Sequence, residues 1–352
     1  MSTYPGSGPT RRTCSPRKPA CNAYRWWSRR TAKSQTILVT GIDGFAGSHL
    51  CDLLIRRRYS VHGTIRRPQA DPRAELSAQV VTYRVDLLDR DAVEALVHEV
   101  RPHWVFHLAA LSSPAASWDD PGGTIATNAS LEANLLGALV RLDPMPRVLV
   151  VGSGDEYGRP AGRRRLDENT PLRPLTPYGV SKVAQDLLAL QYHLSHGLPA
   201  VRVRPFNHAG PRQAPQYAIA SFAQQIARIE LGKQPPVLKV GNLQARRDFT
   251  DVRDIARAYL LAVAKGKPGE VYNLGSGSAS RLRDVLARLL TMTRAKVALE
   301  VDPGRARMAE ADVYLCDARR FQRLTGWRPR IALDRTLRDT LNYWRRSEGS
   351  AV

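Results

Sequence analysis

Residues Ile37 to Ile55 read ILVTGIDGFAGSHLCDLLI. A short apolar run, Ile37 to Val39, meets glycines at Gly41, Gly44 and Gly47, and an apolar run with helical spacing follows them. The pattern is a strand, a tight turn and a helix. Gly41 allows the sharp exit from the strand, Gly44 lets the backbone come close to a ligand, and Gly47 lets the new helix pack on the strand. The N–H groups of such a turn, with the helix N-terminus, form an anion site suited to a pyrophosphate. The spacing is GxxGxxG rather than GxGxxG, and glycines at strand–helix turns often serve packing alone. Placement at the first strand–helix unit of the chain favours the dinucleotide reading.

The alternation continues outward from this stretch. Further strands are expected at 61–65, 80–85, 104–108, 147–152 and 200–205, with amphipathic segments between them, including residues 131–142 and 178–196. Nearly all-apolar strands alternating with helices predict a parallel sheet buried on both faces, with ligands at the carboxyl ends of its strands. The fold class is therefore α/β, a Rossmann-type doubly wound parallel sheet. After about residue 206 the rhythm loosens into Pro/Gly-rich pieces, then helices and short strands. The expected organisation is a nucleotide-binding domain over 35–205 plus about 241–265. A smaller C-terminal α/β substrate domain is expected from about 206–240 plus 266–346.

The 352 residues carry a formal net charge of +21 and 43% hydrophobic residues. Residues 1–34 hold eight Lys/Arg and no acid, a composition that buries no core, and read as a disordered basic tail. The remaining basic excess does not alternate with aromatics as a nucleic-acid groove does. The four cysteines, Cys14, Cys21, Cys51 and Cys316, show neither zinc-ligand nor disulfide-framework spacing, which fits a reducing cytoplasm. No apolar run reaches the ~18–20 residues of a membrane helix. No metal is expected.

Candidate chemistry sits in three places. Arg66 and Arg67 follow the second strand, where an acid would hold a ribose 2′-hydroxyl; two arginines suit a 2′-phosphate, so NADP(H) is expected ahead of NAD(H). Asp86 follows the third strand and reads either as a partner for the adenine amine or as a helix N-terminal acid. Tyr178 and Lys182 stand four apart on a predicted helix, so they share a face, and an ammonium near a phenol lowers the phenol's pKa. Such a tyrosine can exchange a proton with a carbonyl or alcohol oxygen. Ser153, in the GSG after the fifth strand, can bond the same oxygen.

Together these parts resemble the extended short-chain dehydrogenase/reductase (NAD(P)-dependent epimerase/dehydratase) family, from about Thr36 to Trp344. The resemblance implies a catalytic Ser153, Tyr178 and Lys182. It places Asn134 as the helix asparagine that supports the active site. It implies cofactor contacts from Asp43, Phe45, Leu87, Leu108, Ala109, Ala110, Ser112 and His208 besides the glycines. It further implies a homodimer through a four-helix interface of residues 131–142 and the Tyr178 helix. The segments RPFNHAGPRQ (204–213), VGNLQARRDFTDVRDIARAY (240–259) and GWRPRIALDRTLRDTLNYWR (326–345) look like the branch that acts on GDP-mannose derivatives. That branch contains GDP-6-deoxy-4-keto-D-mannose reductases and GDP-mannose 4,6-dehydratases.

The implied substrate is a GDP-linked 6-deoxy-4-keto-hexose, held by Ser113, Ser153, Asp155, Asn207, Arg247, Arg307 and Glu310. The family's usual Gln after the fourth strand is Leu111 here, and the proline after the second arginine is Met308. A dehydratase needs an acid/base carboxylate beside its catalytic hydroxyl, in this branch usually a glutamate two places after it. Here that place holds the shorter Asp155, and Glu156 comes one position late. Reduction of the 4-keto group to give GDP-D-rhamnose is the expectation. GDP-mannose 4,6-dehydration and nucleotide-sugar 4-epimerisation are the alternatives.

Overall fold

The computed structural model describes residues 35–65, 77–158, 165–302 and 315–349. Arg66, Arg67, Arg307, Glu310 and the basic tail lie outside the described residues.

Seven apolar segments pair into one sheet. They are β1 (Thr36–Thr40), β2 (Ser60–Ile65), β3 (Val81–Arg84), β4 (Trp104–His107), β5 (Arg147–Val151), β6 (Ala200–Pro205) and β7 (Val271–Leu274). Their order is β7-β6-β5-β4-β1-β2-β3 and every pairing is parallel. Strands β4, β6 and β7 are buried along their whole length, and the two arginines of β6, Arg202 and Arg204, are buried as ion pairs with Asp186 and Glu156. Edge strand β3 is largely exposed and alternates with polar residues.

Helices cover both faces. On one, α1 (Phe45–Arg56) packs beside α6 (Val252–Lys265) over a core of Ile37, Val39, Leu50, Leu54, Phe106 and Tyr259. On the other, α2 (Arg90–Val100), α3 (Pro121–Leu139) and α4 (Pro177–His196) close over Leu38, Val105, Leu135, Leu139 and Val148. Asp89, Asp120 and Thr176 cap these three helices by accepting from the backbone N–H groups of Ala92, Gly123 and Gly179.

Part of the range expected for a second domain, 266–346, joins the main sheet instead. Strand β7 lies inside that range, yet it joins the main sheet beside β6, pairing Val271 with Arg202 through Leu274 with Pro205. Cys316, Ala318, Phe321 and Trp327 pack into the same core, carried in part by α8 (Arg319–Thr325). These pieces return to the sheet across a long stretch of chain, so nothing local marks them as belonging to it.

A smaller core gathers α5 (Ala218–Glu230), α7 (Leu282–Leu290) and α9 (Leu333–Gly349) around Phe222, Ile226, Leu238, Leu289, Leu341 and Trp344. Val237–Val240 and Ala298–Val301 add a two-stranded parallel pair to it. Two short pairings link the bodies: His208–Ala209 with Thr250–Asp251, and Arg246–Asp248 with Ala279–Arg281.

Candidate active site

The glycine turn behaves as its spacing predicts. Gly41 leaves β1 at φ +67, and a Cβ there would stand 3.0 Å from Ala109 Cα. A Cβ on Gly47 would fall 2.3 Å from Gly41 O, so the first turn of α1 can lie against the loop only as glycine. Thr64, at the end of β2, accepts from Gly41 N at 3.2 Å through Oγ1 and from Ile42 N at 3.2 Å through its carbonyl. Gly44 is the N-cap of α1 and supplies no side-chain bond, so the helix N-terminus opens toward the cleft.

That cleft has a volume of about 1590 Å³ and runs along the carboxyl ends of β1, β4 and β5. Asp43, Phe45, Asp86, Leu87, Leu108, Ala109, Ala110 and Ser112 line it with the three glycines. Thr40 Oγ1 accepts from Leu108 N and Ala109 N, both at 3.2 Å, which holds the loop after β4 against the turn. His208 also lines the cleft, its ring stacked on Phe45 at 5.7 Å, with burial pulling its pKa down. Ser113 is not among the lining residues: its Oγ accepts from Ala116 N and caps a short turn.

Ser153, Tyr178 and Lys182 converge in the same cleft. Ser153 Oγ accepts from Asp155 N at 3.1 Å, so its own hydrogen is available to donate into the cleft that Tyr178 also lines. Lys182 Nζ donates to Val151 O and Gln185 Oε1, both at 2.9 Å, and stands 6.0 Å from the centre of the Tyr178 ring. Burial pulls Lys182 down to about 8. The Tyr178 phenol is pushed up, first by burial and then by Asp155, with Ser153 pulling the other way. This departs from the expectation of a phenol lowered by the lysine. In the structure the ammonium is engaged by the strand and Gln185.

The supporting asparagine is a second correction. Asn134 donates to the carbonyls of Leu87 and Leu88, away from the trio. Asn128, fully buried, does the supporting work: Oδ1 accepts from Leu111 N at 2.7 Å, and Nδ2 donates to Leu111 O and to Ser181 Oγ. It ties the loop after β4 to the helix turn that carries Tyr178 and Lys182. A polar residue buried inside an apolar helix was the available signal.

Asp155 lines the cleft, whereas Glu156 is 0% exposed, with Oε2 2.8 Å from Arg204 Nε and Oε1 accepting from Ser153 N at 2.7 Å. Asn207, two residues past the end of β6, and Arg247, on the Arg246–Asp248 segment, also line the cleft. Tyr217, absent from the expected set, crosses from the smaller body to donate to Ser112 O at 3.1 Å. Among the described residues no His/Cys/Asp/Glu cluster is arranged to hold a metal, and no helix is long and apolar enough to cross a membrane.

A phosphate cradle and a Ser–Tyr–Lys trio opening on one cleft define an enzyme class: the NAD(P)-dependent oxidoreductases of the short-chain dehydrogenase/reductase type. Within that class, the chain belongs to the family described as GDP-mannose 4,6 dehydratase, whose profile matches residues 38–340. It is similar to the GDP-6-deoxy-D-mannose reductase of Pseudomonas aeruginosa, 34% identical over 312 residues, 88% of this chain and 97% of that protein. Among solved structures it resembles RMD from Pseudomonas aeruginosa complexed with NADPH, with a TM-score of 0.75 and 32% identity, covering 89% of this chain and 100% of the other. It also resembles UDP-glucose 4-epimerase of Thermus thermophilus in complex with NAD, with a TM-score of 0.79 and 29% identity, covering 90% and 99%. The family uses nicotinamide cofactors, and the residues present fit one. The glycine cradle leaves no room for a Cβ at Gly41 or Gly47, and the uncapped α1 N-terminus faces the cleft.

Proposed function

We propose that the protein reduces the 4-keto group of a GDP-linked 4-keto-6-deoxy-hexose, GDP-4-keto-6-deoxy-D-mannose, to give GDP-D-rhamnose. The observation that carries this reading is the burial of Glu156 against Arg204, which leaves only the short Asp155 beside Tyr178. A dehydratase must take a proton from C5 and expel the 6-hydroxyl, whereas a reductase needs only a proton donor at O4. When bound, reduced nicotinamide supplies the hydride. Tyr178 gives its proton to the developing O4 alkoxide. Ser153 orients the carbonyl, its hydroxyl directed by the Asp155 amide. Lys182 sets the local positive charge, and Arg247 and Asn207 hold the diphosphate side of the substrate. Arg66 and Arg67 favour NADPH over NADH, and Arg307 and Glu310 are further substrate contacts on this reading.

Asp155 favours a second reading, GDP-mannose 4,6-dehydration. One assay separates the two. With purified protein, 4-keto substrate and NADPH or NADH, the expected result is consumption of reductant and a rhamno-configured product. Formation of a 4-keto product from GDP-mannose without added reductant would replace the first reading with the second.

The protein acts in the cytoplasm on this reading, consistent with the buried thiols of Cys51 and Cys316. It pairs with a second copy through α3 and α4. Val180, Leu187 and Leu194, seven apart on α4 and 40%, 51% and 74% exposed, offer the apolar stripe for that contact.

A further inference from the structure

One buried carboxyl beside the trio has no part in the chemistry above. Glu132, midway along α3, is 0% exposed, and neither carboxyl oxygen completes a hydrogen bond among the described residues. Its polar neighbours arrive from two other elements. His107 of β4 places Nε2 4.0 Å from Oε2, and Gln185 of α4 stands beside it. Gln185 Oε1 is the acceptor for Lys182 Nζ, and its amide nitrogen lies 3.5 Å from His107 Nε2. A carboxylate on the nitrogen side of that amide polarises it and strengthens the oxygen as an acceptor for an ammonium.

The charged groups turned toward Glu132 are few. Asp186 of α4 is paired with Arg202 and Arg204 of β6, at 2.8 and 2.7 Å. Glu156, from the turn after β5, is paired with Arg204. His107 is a neutral ring, pulled down to about 3 by burial. Helix α2 presents only Val93, Leu96, Val97 and Val100 to its buried side. That leaves Lys182, whose two hydrogen-bond acceptors are both neutral.

We propose that Glu132 is a positioning residue for the Tyr178–Lys182 couple: acting through Gln185, its carboxylate is the counter-charge that keeps Lys182 an ammonium. Burial works against charge on both groups, and the strongest opposing pull on each comes from the other. Burial pushes Glu132 well above the usual carboxylate range and Lys182 is the first group pulling it back; burial pulls Lys182 down and Glu132 is the first group holding it up. The consequence for catalysis rests on the reading of Lys182 given above; the ionic link itself does not.

The test titrates Lys182 directly, by NMR of protein labelled with side-chain ¹⁵N-lysine and carrying neither cofactor nor substrate, with the signal assigned through Lys182→Met. In Glu132→Gln the midpoint falls by about one pH unit, the scale of an opposite charge lost at short range. In Glu132→Asp, which keeps the charge, it returns toward the parent value. If Glu132→Gln does not fold, Gln185→Leu cuts the same link and lowers the midpoint likewise. An unchanged midpoint in the variant that folds overturns the proposal. The alkaline limb of kcat/KM for keto reduction moves down with the midpoint. A midpoint that moves while the limb stays keeps the Glu132 link and discards the catalytic role of Lys182.

Discussion

The two walls of the cleft are built on different principles. On one, Gly41, Ala109 and Ser153 follow the ends of three neighbouring strands, β1, β4 and β5, whose pairing fixes their spacing. On the other, Arg247 sits on a short bridging segment and Tyr217 at the start of α5, so their positions depend on how the smaller core packs. Reacting groups stand on the rigid wall, and the groups available for recognition stand on the wall that can be altered with little cost to the sheet.

The rigid wall is broken most severely at Tyr178. Tyr178→Phe should lower kcat by ~10²–10⁴-fold, the usual worth of a positioned proton donor, while cofactor affinity holds. Full turnover in that variant would remove the phenol from the mechanism. The opposite wall should respond more mildly and in a different parameter. Arg247→Leu should cost roughly ten- to hundredfold in kcat/KM, chiefly through KM, as loss of a charge-assisted bond to a diphosphate would. A fall in kcat at unchanged KM would move Arg247 to the reacting side and erase the distinction between the walls.

The same contrast explains what could be read from sequence. The turn at Gly41, Gly44 and Gly47 and the pair Tyr178 and Lys182 are local relations, set by a strand–helix turn and one helical repeat, and the structure brings both to the cleft. The supporting asparagine was misplaced because the resemblance, not the helical stripe, chose it: Asn128 lies in register with Leu131, Glu132 and Leu135 on the buried side of α3, whereas Asn134 is half-buried away from α4. Strand β7 was misplaced because only its pairing with β6, more than sixty positions earlier in the chain, gives it a sheet. The ionisation of Tyr178 ran opposite to the simple pair rule because burial outweighs the ammonium once the lysine is bonded elsewhere. Glu132 carried no motif at all.

The smallest expected effect compares the interior of the rigid body with its seam to the other wall, through two neutral histidines. His107, inside the sheet, sits 2.8 Å from Thr40 Oγ1 and is pulled down to about 3 by burial. His49, on α1, sits 2.9 Å from the carbonyl of Pro211 and is pulled down to about 4 by burial. Each is ordinary in the unfolded chain, with a pKa near 6.5. Between the folded and unfolded values the unfolded chain binds the extra proton, so each histidine's contribution is complete above about pH 6.5 and is lost as pH falls toward 4 or 3. At pH 5.5 the loss is on the order of 1 kcal/mol per histidine. Melting temperatures measured from pH 7.5 to 5.5 should therefore fall less steeply in His49→Gln and in His107→Gln than in the parent. If His49→Gln alone leaves the slope unchanged, the seam along Pro211 opens before the sheet does, and the two walls separate under acid.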